Sequence, residues 1–295
     1  MLNRKLILTS GLSSVLILLA LFGGQSSASQ KSPAVPPPVL LTRTATRHEI
    51  RHFGYGGTVT IVGAPIGSVT VEGWQRSEVE VTADIEQQAE TEADLDQLAK
   101  VNGFVFDDDV NHVSILTTGT HDRSFMKKTA KNFPKRLLNL PWKIDYRIRV
   151  PASTDVEINA GHGPVNASGF EGALRISAVE SETTLTLAGG LVTATVAAGN
   201  VRLIIPVRSW RGSGADIRIA AGILTVELPP GFNGDIDADI LRTGRIENAF
   251  DGLAPREKPG IGEQLVRARA GAGGAFFKFT VGDGRISIKK AGEGE

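Results

Sequence analysis

Three observations predict an all-β, single-domain β-solenoid, with short strands stacked in two sheets, one short helix and an N-terminal signal peptide. The first is composition: 34 Gly and 14 Pro but no Cys among 295 residues. Glycine is well above its usual share of roughly 7%, without a collagen period. The second is a period-two alternation of apolar and polar residues that dominates from about Gly67 onward. The third is an internal repeat. Val156-Glu-Ile, Val165-Asn-Ala, Leu174-Arg-Ile, Leu185-Thr-Leu, Val192-Thr-Ala and Val201-Arg-Leu begin 9, 9, 11, 7 and 9 residues apart, with glycines between them. Four residues rising about 3.3 Å each make a sheet only about 13 Å wide. Two such strands form a coil of roughly 18 to 20 residues that must stack to bury its apolar face. The alternative, an antiparallel β-sandwich, also accepts turn signals every 8 to 12 residues or so. The short, nearly constant period and the lack of Asn-Gly or Asp-Gly hairpin signals favour the solenoid.

From the N-terminus, Arg4 and Lys5 precede an apolar stretch from Leu6 to Phe22 and the small residues Ser26-Ser-Ala28, the pattern of a signal peptide over residues 1–28 cleaved after Ala28. An uncleaved membrane anchor is the alternative, since the stretch approaches the roughly 17 to 20 residues needed to span a bilayer. Residues 29–43, with Pro33, Pro36, Pro37 and Pro38, read as an extended linker. Residues 44–143 form an N-terminal β region. In it Ser68–Val71 and Glu78–Ala83 predict two short strands around a glycine-containing turn. Thr91 to Val101 predicts a helix, with Leu95, Leu98 and Ala99 at helical spacing and Thr91 and Asp94 where a capping box would begin. Phe104–Phe106 and His112–Leu116 predict a hairpin about Asp107-Asp-Asp109.

Residues 119–143 are a basic insertion, in which Arg123, Lys127, Lys128, Lys131, Lys135, Arg136 and Lys143 interleave with Phe125, Phe133 and Trp142. Such a segment could touch anionic glycan, lipid or nucleic acid; the simpler expectation is a solvated loop. If the chain has a contact region, Arg123, Lys127, Lys128, Lys131, Lys135, Arg136 and Trp142 are its candidates.

Residues 144–295 hold the repeat. Ile144–Val150 alternates cleanly, the repeat follows, and Ala215–Ile219, Ile223–Leu228, Asp235–Ile240 and Arg245–Glu247 continue it to a loop at 255–262. Phe276–Val281 and Arg285–Ile288 supply closing strands around a Gly-Asp-Gly turn. Open stack ends invite edge pairing, so the helix near Thr91 and the strand Phe276–Phe279 are the expected caps.

Gly67-Ser-Val-Thr-Val-Glu-Gly-Trp74 with Glu78-Val-Glu-Val, Tyr146-Arg-Ile-Arg-Val-Pro151, the "apolar-x-apolar-x-x-Gly" units and Gly282-Asp-Gly-Arg-Ile-Ser-Ile288 resemble the bacterial DUF4097 family of adhesin-like, or toastrack, β-strand repeat proteins. The likeness runs from about Thr46 to Lys290; the basic insertion departs from the family's compact pattern. The resemblance implies an exported repeat domain for surface adhesion or envelope sensing, with no catalytic residues to carry over.

Charge and composition bound the function further. The 32 Lys+Arg balance 32 Asp+Glu, which argues against a nucleic-acid partner. Removing residues 1–28 would leave 30 against 32, a net charge of −2. The absence of Cys excludes disulfides, thiol catalysis and Cys-ligated metals. His48 and His52, at i and i+4, could ligate a metal only on a helix, whereas their neighbours fit a strand entering a glycine turn. Asp107–Asp109 with Asn111 lack the spacing, Gly and distal Glu of a calcium loop.

Asp235, Asp237 and Asp239 would line one strand face about 7 Å apart, a spacing that resembles glycosidase acid–base pairs; a solubilising outer face explains them with no further assumption and is the expectation. Thr184, Thr186, Thr193 and Thr195 would project on one side of neighbouring strands. Asn166-Ala-Ser168 matches a glycosylation sequon, Ser153, Ser168 and Ser213 lack a nucleophile elbow, and Gly271–Gly274 lacks the context of a phosphate loop.

The sequence thus predicts a non-enzymatic, extracytoplasmic module without cofactor, periplasmic, secreted or at the cell surface. It would bind an envelope or cell-surface protein or glycan through the solenoid's outer face. The alternatives are a structural or sensory domain that self-associates or couples to a membrane signalling protein, touching the membrane only through an uncleaved signal anchor, and a parallel β-helix carbohydrate-active enzyme using Asp237 and Asp239.

Overall fold

Alternation sets the first strands. In a computed structural model describing residues 40–292, except 55, 110 and 259, β1 (Leu41–His52) pairs antiparallel with β4 (Glu78–Ala89), and β4 buries every second side chain. The strand β1 begins inside the stretch read as linker; the signal peptide and the rest of that linker lie outside the described residues. Between these strands, β2 (Thr58–Ile66) and β3 (Val69–Trp74) enter two different sheet faces. The expected pair of neighbouring strands at 68–83 is corrected: β7 (Trp142–Pro151) lies between them, parallel to β3 and antiparallel to β4.

The predicted helix is α1 (Glu92–Ala99), where the Thr91 hydroxyl accepts from the Asp94 N–H. The hairpin forms from β5 (Gly103–Asp109) and β6 (His112–Thr118), so the three aspartates end a strand and do not make the turn. The basic insertion carries structure of its own, α2 (Arg123–Thr129) and a 3-10 turn at Lys135–Leu137.

The repeat then stacks in parallel. The first half of β10 (Ala173–Thr186) pairs with β8 (Asp155–His162) and its second half with β9 (Val165–Ser168). One bent strand therefore serves both faces. Strand β11 (Gly189–Ile204) repeats this eighteen residues later, with Leu174 opposite Val192 and Leu185 opposite Leu203. A longer loop precedes β12 (Arg211–Leu228), where Val192 lies opposite Ala215. This parallel pairing differs from an antiparallel sandwich, although antiparallel strands finish both ends, and the bent strands join the expected two sheets into one sheet of sixteen strands.

The bend uses a column of residues in register, Ser181, Gly199, Gly222 and Gly284, the last also facing Gly244. At Gly222 φ is +151°, and a Cβ there would sit 1.7 Å from the Gly199 carbonyl oxygen. Only glycine allows both the corner and this approach.

The C-terminal end departs from sequence order. The last strand, β16 (Phe276–Lys290), lies between β12 and β13 (Gly234–Asn248), parallel to both. Phe277 and Phe279 are buried between these coils, so this strand is interior to the stack and is not its cap. The expected Gly-Asp-Gly turn is a corner inside β16. The end is closed by β15 (Leu265–Ala270), antiparallel to β13, and then by β14 (Leu253–Pro255). At the other end the helix is no cap either: α1 packs in a small separate core of Ala89, Leu95, Leu98 and Leu137. Closure there comes from β1 and β5. The Arg47 and Arg51 guanidinium groups lie 4.3 and 4.4 Å over the Phe104 and Phe106 rings, and Arg47 donates to the Phe104 carbonyl. Each such stack contributes about 0.5–1 kcal/mol and keeps charge at an otherwise open apolar end.

Candidate interaction site

The basic insertion folds because its ends are tied down. Asp122 caps α2, accepting from the N–H groups of Ser124 and Phe125 at 2.8 and 3.0 Å. Seven residues are too few for a helix stable alone, and Met126 anchors it by burial. Pro134 then starts the 3-10 turn that carries Leu137 into the small core beside α1. Arg136 grips Asp94 of α1 through two hydrogen bonds, one of 2.6 Å. This contact holds the Asp94 carboxyl below its ordinary range.

Between α2 and the 3-10 turn lies a groove of about 710 Å³. Arg123, Lys127, Lys131 and Lys135 line it, and no carboxylate does. Its apolar surface comes from Met126, Ala130, Phe133 and Leu138. All four cations are exposed, and none forms an ion pair among the described residues. Of the seven candidate contact residues, these four converge. Lys128 points elsewhere on α2, Arg136 is committed to Asp94, and Trp142 is buried at the start of β7. The Trp142 ring supports that of His121, 5.3 Å away. Desolvation there lowers the His121 pKa, opposed by the nearby Asp122 carboxylate.

Met126 and Leu138 were missed in the sequence, and Phe133 and His121, though part of the basic segment, were not among the candidate contacts. A signal for the wall existed: 123, 127 and 131 repeat at four-residue spacing, the period of one helix face.

The other chemistry-bearing groups are occupied. Asp235 bonds Arg269 at 2.8 Å, Asp237 meets Arg256 and Arg267, and Asp239 bonds Arg267 at 2.7 Å. The Arg269 hydrogen bond holds Asp235 low against partial desolvation, the opposite of the raised pKa a glycosidase acid needs. His48 bonds Glu80 at 2.9 Å. On the extended strand β1, His48 and His52 lie about 13 Å apart, too far to share a metal. Among the described residues no group of three or more His, Cys, Asp or Glu is placed to hold a metal ion. Asp108 pairs with Arg51 at 3.3 Å.

The threonines do not form one array. Thr184 and Thr186 lie on the face of β9, Thr193 and Thr195 on that of β8. Ladders on the outer faces neutralise themselves, as in Arg147 with Asp84, Arg149 with Glu80 and Arg218 with Asp216.

No helix among the described residues is long and apolar enough to cross a membrane. No protein-family model matches the chain, and no curated protein matches it. Among solved structures the chain is similar to a candidate cell adhesion protein of Clostridium sporogenes, at 13% identity over 84% of this chain and 100% of that one, with a TM-score of 0.42. It is also similar to a candidate adhesin of Bacteroides fragilis, at 11% identity over 86% of this chain and 98% of that one, with a TM-score of 0.29.

Proposed function

We propose that this chain is an exported, adhesin-like interaction module that performs no catalysis and binds an envelope or cell-surface component. The observation that carries this reading is the contrast between its charged surfaces. Most carboxylates and arginines on the outer strand faces are matched to each other, whereas four cations without an ion pair among the described residues gather around the apolar groove between α2 and the 3-10 turn. A paired ladder has little left to offer a partner, while unpaired cations beside an apolar surface keep both charge and hydrocarbon free. This contrast favours contact at the groove over contact along the whole outer face. The predicted signal peptide and the resemblance to DUF4097 agree with action outside the cytoplasm.

The test compares the chain with a Lys127→Glu, Lys131→Glu variant for retention on whole cells and on envelope glycans. Retention that the charge reversal abolishes supports the reading, and equal retention of both proteins removes the groove from it.

Self-association is a second reading, favoured by one observation. The strand β1 has twelve residues, stands at the end of the sheet order, and leaves Leu41 and Ile50 exposed. A long free edge is a template for another strand. Light scattering that finds only monomers across a wide concentration range would remove it.

A further inference from the structure

We infer that the groove between α2 and the 3-10 turn binds an anionic phospholipid, its phosphate among Arg123, Lys127, Lys131 and Lys135 and an acyl chain along Met126, Phe133 and Leu138. The inference rests on the reading of this groove as the contact site and names the ligand class. Two features of the groove carry it.

The first is charge. Arg123 and Lys127 stand one helical turn apart on α2, and Lys131 follows just past its end. Like charges one turn apart on a helix repel, and no carboxylate lines the groove to relieve them. Two acids of the neighbouring elements are already used: Asp122 caps α2 and Asp94 holds Arg136. A phosphate would relieve the repulsion, with charge-assisted hydrogen bonds from several donors at once.

The second is the apolar surface. Met126, Ala130, Phe133 and Leu138 offer hydrocarbon and no side-chain hydrogen-bond partner. Thr120, His121 and Asn139 are the other polar side chains of the lining; against the four apolar ones a glycan hydroxyl would be buried unpaired, at a cost, whereas an acyl chain gains with each CH₂ it buries. Charge and hydrocarbon side by side match a ligand that carries both.

The start of β1 and the basic segment both pair with α1. Arg43 near the start of β1 pairs with Glu92 and Asp96 of α1, and Asp94 of α1 pairs with Arg136 of the basic segment. Basic groups such as these four are attracted to an anionic lipid surface.

The test titrates the full chain with dihexanoyl phosphatidylglycerol below its micelle concentration, beside dihexanoyl phosphatidylcholine and glycerol 3-phosphate. The expected result is saturable binding of the first. Phosphatidylcholine and glycerol 3-phosphate should each bind at least about tenfold more weakly, and the Lys127→Glu, Lys131→Glu variant should lose at least about tenfold in affinity while keeping its melting temperature. Equal affinity for glycerol 3-phosphate, or for phosphatidylcholine, overturns the inference, because either the hydrocarbon or the charge would then be idle. No binding of the short-chain lipid also overturns it. In that case, loss of cell retention in the same variant would leave the groove as a contact site for another partner, an acidic protein segment included. Unchanged retention would remove both readings.

Discussion

Single residues decide how the coils turn. At Gly222 a positive φ and a backbone oxygen 1.7 Å from a notional Cβ act together. Gly222→Ala should therefore cost at least about 2 kcal/mol in urea unfolding. Gly56 also has a positive φ, yet nothing lies within 4 Å of its notional Cβ; Gly56→Ala should cost only about 1 kcal/mol. The glycine count announced turns, but the column could be seen only after the register was known, because Ser181 holds the same place in β10. Glu227 offers a second test. Burial pushes its carboxyl up, but Arg202 and Lys289 more than offset this and hold it below its ordinary range. A carboxyl depressed in the fold adds stability that is complete above its unfolded pKa and is lost as pH falls through the folded value. The wild type should therefore exceed Glu227→Gln in urea midpoint at pH 7, with the gap closing as pH falls from about 5 to 3.

At the scale of elements, α1 and the 3-10 turn share a small core with Ala89 of β4, separate from the main one, and α2 contributes no residue to it. Arg136→Ala should remove the clasp on Asp94 while leaving the stacked coils intact. Hydrogen exchange at residues 133–140 should then quicken, with exchange in β10 to β12 unchanged; equal quickening throughout would mean that the two cores unfold as one. Strands and α1 were legible because their signals are local: alternation, a threonine cap, and leucines three residues apart. The helix α2 was not, since its seven residues bury only Met126 and so carry no apolar stripe. The groove was half legible. Its cations stand in the sequence, but which of them remain free depends on Asp94, forty-two residues before Arg136.

For the whole molecule the decisive feature is the placement of β16. In a stack built in sequence order the last coil covers one neighbour and its loss merely shortens the array. Here β16 joins β12 to β13 and buries Phe277 and Phe279 between them. No sequence pattern could reveal this, because its Phe-x-Phe and Ile-x-Ile units alternate like any other coil and register is not written in alternation. The consequence separates this chain from an ordinary repeat. Deleting residues 274–295 would open two strand edges at once and strip the partners from Trp210 and Phe232, whose rings stand 5.4 and 5.5 Å from that of Phe277. The strands β13, β14 and β15 would be cut off from the rest of the stack. Such a truncation should lose its cooperative melting transition and aggregate through the freed edges. Circular dichroism melts and soluble yield measure both effects, and a truncated chain that still melts cooperatively near the full chain's temperature would show that β16 is not the keystone its position implies.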